Sequence, residues 1–256
     1  MRDKANTLFY ILGSFFVANA LLAEFIGVKI FSLEKLLGIQ PINLSFFGEG
    51  NLSFNLTAGV LLWPVVFIMT DIINEYFGRK GVRFMSFTAA TLIAYAFLMV
   101  YLAMGLSPAD FWIERKTLYG TVNMDLAFDA IFGQGLWIIF GSLVAFLVGQ
   151  LVDVSVFHFL RSFTGSKKIW LRATGSTLVS QFIDSFVVLL IAFYFGAGWD
   201  LSLVLAIGLV NYIYKFFVAV FLTPLLYLIH FIIDLYLGKE LSEKLIEDAA
   251  LASRGK

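Results

Sequence analysis

Six stretches of this chain stay apolar over the length needed to cross a bilayer: 8–31, 56–76, 84–105, 136–159, 174–196 and 201–229. A spanning helix needs about 20 mostly apolar residues. The pattern therefore predicts an all-α fold, a polytopic membrane protein built as a six-transmembrane-helix bundle in one domain, 1–256. The longest gaps, 32–55 and 106–129, are too short for a folded domain of ordinary size. The first run imitates a secretory signal, with Arg2 and Lys4 ahead of it and Ala18-Asn19-Ala20 as a cleavage site. Apolar residues continue to Phe31 and no soluble domain follows, so a retained helix is expected.

Composition agrees: 60% of residues are hydrophobic and 14% charged, with a mean hydropathy of +0.89. Soluble domains carry about 25% charged residues, so the surplus apolar surface needs lipid. The net charge of zero gives no electrostatic case for nucleic acid. With no Cys, disulfides, thiolate metal sites and thiol nucleophiles are excluded. Two His residues make a histidine zinc site improbable, and no metal or cofactor is expected.

Lys and Arg set the orientation. With both termini cytoplasmic, Arg2, Lys4, Arg79, Lys80, Arg83, Arg161, Lys167, Lys168, Arg172, Lys239, Lys244, Arg254 and Lys256 lie inside, 13 of the 18 basic residues. Only Lys35, Arg115 and Lys116 lie outside, while Lys29 and Lys215 fall within spans. Trp112, Trp137, Trp170 and Trp199 fall at or beyond span ends, the place of amphipathic indoles. Pro64 and Pro224 sit inside spans, where each frees the carbonyl four residues earlier and either kinks the helix or lines a cavity. Gly141, Ala145 and Gly149, four apart, read as a close-packing stripe.

Charged groups inside a span cost about 2.5–3.5 kcal/mol each even on insertion scales. The spans nevertheless hold Glu24, Lys29, Asp71, Asp153, Asp184 and Lys215, with Asn19, Gln150, Gln181 and Asn211 besides. Lys29, close to a span end, can snorkel. Asp234, Glu75 and His158 fall near cytoplasmic ends and read as solvated. At a rise of about 1.5 Å per residue, the others from five helices share one layer, with Asn19 near the midplane and Asp71, Gln150, Asp153, Asp184 and Lys215 on its inner side. Asp184 and Lys215, opposite in charge on consecutive spans, should pair. Gln150-Leu151-Val152-Asp153 and Gln181-Phe182-Ile183-Asp184 are two Q-x-x-D units. Spacing of three puts amide and carboxylate on one helix face. An amide donates and accepts, whereas a carboxylate only accepts, so such pairs can read the edge of a flat heterocycle. The competing reading is interhelical glue.

Four stretches resemble the queuosine precursor transporter family, membrane proteins grouped with vitamin uptake transporters. They are Trp63-Pro64 with Phe67 through Gly78; Gly149 through Val154 with Val156-Phe157 and Leu160-Arg161; Trp170-Leu171-Arg172 through Asp184-Ser185 and Ile191-Ala192-Phe193; and Tyr212 with Lys215 and Pro224. Asn19 fits as well, while Glu24 and the loop at 106–129 have no counterpart in the resemblance. It implies six helices, a bacterial inner-membrane location and import of 7-cyano-7-deazaguanine and 7-aminomethyl-7-deazaguanine. It also implies a substrate site lined by Asn19, Asp71, Gln150, Asp153, Gln181, Asp184 and Lys215. A guanine-like base presents a ring N–H beside an exocyclic amine, and one carboxylate accepts both. Its carbonyl needs a donor from Gln150, Gln181, Asn19 or Lys215.

Two other functions compete. The chain would be the substrate-binding membrane subunit of an ATP-driven importer if a separate ATPase partner supplied the energy. Thr164-Gly165-Ser166-Lys167 lacks the first glycine of a phosphate loop. An intramembrane enzyme using Asp71 and Asp153 as acid and base would lack any accompanying nucleophile, metal cluster or cofactor motif.

Overall fold

A computed structural model describes residues 2–133, 135–164 and 168–254. Lys167 and Lys256, counted above as cytoplasmic, and the 164–167 segment beyond Thr164 lie outside the described residues. Among the described residues, five helices are long and apolar enough to cross a bilayer. The described residues are mostly helical, an all-α bundle.

Helix α1 spans Arg2–Ile26. It stops short of residue 31 because strand β1 (Ile30–Ser32) leaves the bundle to pair antiparallel with β4 (Asn55–Thr57). Between them lie α2 (Leu33–Leu37) and the hairpin of β2 (Leu44–Phe46) with β3 (Glu49–Leu52). Ser32 caps α2 by accepting from the Lys35 N–H, and Gly38 ends it at φ 69°. Residues 56–62, expected to be helical, form β4 and a 3-10 turn, Ala58–Leu61.

Helix α3, Trp63–Met104, is 42 residues long. A straight helix of that length would reach about 63 Å, twice a bilayer core. It is divided at Gly78, whose φ of 66° and ψ of −171° are open only to glycine. α1 lies against both arms. Near its C-terminus the Ala23 carbonyl abuts Gly59, and at the other end the Phe9 ring lies 4.9 Å from Phe77. Along the second arm Met85 touches Gly13, and Phe97 lies 5.7 Å from Phe25. The first arm therefore runs against α1 and the second alongside it, so the chain reverses at Gly78.

A short helix α4 (Asp110–Ile113), the exposed hairpin of β5 (Glu114–Thr117) and β6 (Gly120–Asn123), and α5 (Met124–Phe132) occupy the next loop. Helices α6 (Leu136–Thr164) and α7 (Ile169–Leu189) form the tightest pair. Gly141 and Gly149 face α7, and a Cβ on Gly141 would stand 3.2 Å from the Val188 carbonyl, so the small-residue stripe serves packing. α7 ends in a π-helical turn, Leu190–Phe195.

The run at 201–229 is two helices, α8 (Leu201–Phe221) and α9 (Thr223–Leu237). Both prolines are helix starters. Pro64 and Pro224 occupy the first turns of α3 and α9, where a missing N–H costs no hydrogen bond. Neither kinks a helix interior, and Pro64 lines a cavity, the other of the two expected roles. Helix α10 (Lys239–Arg254) lies across the Gly78 turn: Ala249 meets Gly78, and Arg161 of α6 donates to the Ile246 carbonyl at 2.8 Å. The bundle thus has an α10 end and, opposite it, a hairpin end.

Candidate functional site

Toward the α10 end, Glu75 is buried, not solvated. Arg172 of α7 donates to both its oxygens, at 2.5 and 3.2 Å, and Arg161 lies 3.6 Å away. His158 is buried as well. Asp234 accepts from Tyr76 at 2.7 Å and from Ser242 at 2.5 Å, which ties α3, α9 and α10 together. Depth along a span does not reveal that α10 folds over this end and buries Glu75 and His158, whereas Asp234 is exposed, as expected.

The next layer holds Asp71, Gln150 and Asp153, all buried. Gln150 accepts from Thr70 at 2.9 Å and from Ser86 at 3.4 Å. Asp71 accepts from Thr177 at 3.3 Å, and Asp153 from Ser180 at 3.2 Å. The two donors stand about one turn apart on α7, so one helix face serves a carboxylate from α3 and one from α6.

Two cavities flank the following layer. In the first, Asp71, Gln181 and Lys215 meet the aromatic walls Trp63, Phe67 and Tyr214. The second, reaching the hairpin end, holds Glu24, Ser142, Asp184, Asn211 and Lys215. Its volume is about 360 Å³, against about 50 Å³ for the first. Ligand sites run from about 300 Å³ upward, whereas the first cavity has room for a few waters. Val60, Trp63, Tyr214 and Lys215 line both and form the wall between them. Lys215 donates to Asp184 at 2.6 Å across α7 and α8, the pairing expected from depth and charge.

The seven sequence-selected residues thus divide. Asp71 and Gln181 line the first cavity, Asp184 the second and Lys215 both. Gln150 and Asp153 line neither and stand buried behind Asp71. Asn19 is buried, and its amide donates to the Phe15 carbonyl of its own helix at 2.8 Å. Sequence reasoning did not select Trp63, Tyr214 or the hydroxyls of Ser176, Thr177 and Ser180. The last group was legible: Ser176, Thr177, Ser180, Gln181, Asp184 and Ser185 recur at helical spacing. Glu24, left without a role, faces the second cavity.

Residues 57–229 match the family described as "Putative vitamin uptake transporter". The chain is 32% identical over 180 residues to the "Probable queuosine precursor transporter" of Bacillus subtilis, covering 68% of this chain and 72% of that one. It is 30% identical over 187 residues to the protein of the same name from Haemophilus influenzae, covering 71% of each. It is 30% identical over 181 residues to the queuosine precursor transporter of Escherichia coli, covering 68% of this chain and 72% of that one. No solved structure matches the chain. The matched span ends within α9 and contains every residue lining the first cavity, whereas Glu24 of α1 and the other lining residues of the second cavity up to Leu56 lie ahead of it. With several apolar helices and these relatives, this is a multi-pass transporter of the bacterial inner membrane, and it belongs to the queuosine precursor transporter family.

Proposed function

We propose that this chain imports queuosine precursors, 7-deazaguanine bases such as 7-cyano-7-deazaguanine and 7-aminomethyl-7-deazaguanine, through a six-helix bundle with both termini in the cytoplasm. One observation carries the reading: Asp71, Gln181 and Lys215 converge on a single cavity walled by Trp63, Phe67 and Tyr214. An ionised carboxylate accepts the ring N–H and the exocyclic amine of a guanine edge together. The Gln181 amide or the Lys215 ammonium supplies the donor that the base carbonyl needs. An aromatic face stacks on the heterocycle. The larger second cavity admits a base from the hairpin end. The first cavity is too small for a base as it stands, so the wall of Val60, Trp63, Tyr214 and Lys215 has to shift and join it to the second before the base reaches Asp71, and Asp184 holds Lys215 for that step. Gln150 and Asp153 act on Asp71 from behind, and Asn19 holds α1.

Two observations support this topology: the reversal at Gly78, by which α3 can cross twice, and the distribution of the basic residues. Arg79, Lys80, Arg83, Arg161, Arg172, Lys239 and Lys244 belong to the helices at the α10 end, Lys35, Arg115 and Lys116 to the hairpin end.

The test is uptake of labelled 7-cyano-7-deazaguanine by proteoliposomes holding this chain alone, with Asp71→Asn beside the wild type. The substitution turns one acceptor oxygen into a donor facing the donors of the base. It exchanges a charge-assisted contact worth about 1.5–3 kcal/mol for a clash, a loss of roughly tenfold to a few hundredfold in affinity. Wild-type binding by Asp71→Asn would remove the cavity from the reading. Binding without transport until an ATPase partner is added would make the chain the substrate-binding subunit instead.

A further inference from the structure

Asp71 and Asp153 form a pair of carboxylates on neighbouring helices, with Ser176 beside both. Asp153 is fully buried and Asp71 nearly so. Among the described residues neither has a cationic partner within 4 Å. One oxygen of each, Asp71 Oδ1 and Asp153 Oδ2, is buried without a hydrogen-bond partner among them. So is the Nε2 of Gln150, one turn from Asp153 on the same face of α6 and 1% exposed.

The charged groups around the pair are committed elsewhere. On α3, Glu75 holds Arg172 of α7 and has Arg161 of α6 close by. Lys215 of α8 holds Asp184 of α7. His158 stands among Arg79, Arg161 and Arg172. On α9, His230 and Asp234 engage Tyr76, and on α1 Glu24 faces the second cavity. Two buried carboxylates ionised together without a counter-charge are costly in a bilayer interior, a state suited to a brief step and not to rest. The unmet oxygens are where a cation has to sit, and like-charged neighbours of this kind share a proton.

We propose that Asp71 and Asp153 hold one proton between them and form the coupling-ion site of the transporter, moving one proton with each base. This rests on the reading of the first cavity as the base site. Asp71 reaches that cavity and Asp153 does not, so the proton enters and leaves through Asp71. A base donating two N–H groups needs Asp71 ionised. Its arrival breaks the O–H bond on Asp71 as one forms on Asp153, with no electron transferred. When the base departs the proton returns to Asp71 and leaves to water on the same side. Substrate and proton thus travel together, and neither moves uphill without the other.

Two measurements decide. The first is substrate-free infrared spectroscopy of purified protein at neutral pH. A protonated-carboxyl band is expected in the wild type, absent from Asp153→Asn and regained in Asp153→Glu. The second uses proteoliposomes and labelled 7-cyano-7-deazaguanine. Acid outside is expected to drive accumulation several-fold above equilibrium, and a sodium gradient is not. Asp153→Asn resembles the proton-loaded pair and is expected to exchange the base across the membrane at equilibrium yet accumulate none, whatever the proton gradient. Asp153→Glu is expected to restore accumulation. The proposal is overturned by a wild type lacking the carboxyl band, by accumulation that survives a protonophore, or by an Asp153→Asn variant that still concentrates the base. If Asp153→Asn does not fold, wild-type proton uptake recorded by a trapped pH dye decides, one proton per base supporting the proposal and none overturning it. A wild type that shows the band but neither binds nor exchanges the base overturns the cavity reading instead, and the two failures are distinct.

Discussion

At the residue scale, the Lys215–Asp184 pair combines a structural and a functional role that substitution can separate. The two side chains are about one-fifth exposed, so cavity water screens them in part. Lys215→Met leaves Asp184 without its partner and should lower stability by about 1–3 kcal/mol. Adding Asp184→Asn removes the stranded charge and should recover most of that loss, since replacing both partners is far less costly than replacing one. Uptake should stay lost in both variants, because the wall between the cavities no longer carries a cation. Thermal unfolding in detergent beside uptake separates the two effects. A double variant that transports at the wild-type rate would reduce the pair to a structural tie. Glu75 with Arg172 differs in kind. Both are buried and joined by two hydrogen bonds, neither lines either cavity, and their role is to fix α3 against α7.

At the element scale, two turns govern how the helices are arranged. Gly78 has a backbone conformation open only to glycine, and a Cβ there would meet Ala249 at an ordinary 3.5 Å. The difficulty for any other residue is therefore backbone strain. Gly78→Ala should cost about 1–3 kcal/mol, and Ala249→Gly should not restore it. Rescue by Ala249→Gly, read from unfolding midpoints, would show that contact rather than strain matters there. In the α2 turn at the hairpin end, Glu34 accepts from the Phe54 N–H at 2.8 Å and from Ser32 at 3.2 Å. Burial alone would raise its pKa, but these hydrogen bonds outweigh it, and the carboxyl titrates below its ordinary value. A depressed folded-state value means the turn is stabilised above the unfolded pKa of about 4.3 and loses that support as pH falls through the folded value. The protection factor of the Phe54 amide, which removes the intrinsic pH dependence of exchange, should therefore fall below about pH 4 in the wild type. In Glu34→Gln it should be lower at neutral pH and insensitive to acid. An acid response that persists in Glu34→Gln would assign it to another group.

At the scale of the whole molecule, topology is testable because the chain has no native Cys. Tyr119, in the β5–β6 turn, is 99% exposed, and Lys244 lies on α10. With both termini cytoplasmic, a Cys replacing Tyr119 should react with an impermeant maleimide on intact spheroplasts. One replacing Lys244 should react only after lysis. The opposite pattern would invert the bundle and turn the second cavity toward the cytoplasm. Either result leaves the cavities on the two sides of the Trp63 and Lys215 wall, the arrangement that alternating exposure of one site requires.

The order of residues alone was enough to settle what this molecule is made of. Apolar runs long enough to cross lipid fix a helical membrane bundle, because a backbone in hydrocarbon has to satisfy its own hydrogen bonds. Ionisable residues at one depth marked a polar layer, because each is too costly to keep in lipid without a partner or a role. The pairing of Lys215 with Asp184 was legible on those grounds. Depth along a helix, however, does not say which way a side chain faces or what lies above it. Only the tertiary structure placed Asp71 on one cavity and Asp184 on another, drew Asp153 and Gln150 back from both, and buried Glu75 against Arg172. Helix starts were obscured for a similar reason. The 3-10 turn ahead of Trp63 is as apolar as the helix that follows, and a proline inside an apolar run reads alike as a kink or as a first turn. What decided these points was packing between segments far apart in the chain: β1 against β4, α10 over Gly78, and α7 with its hydroxyls against α3 and α6.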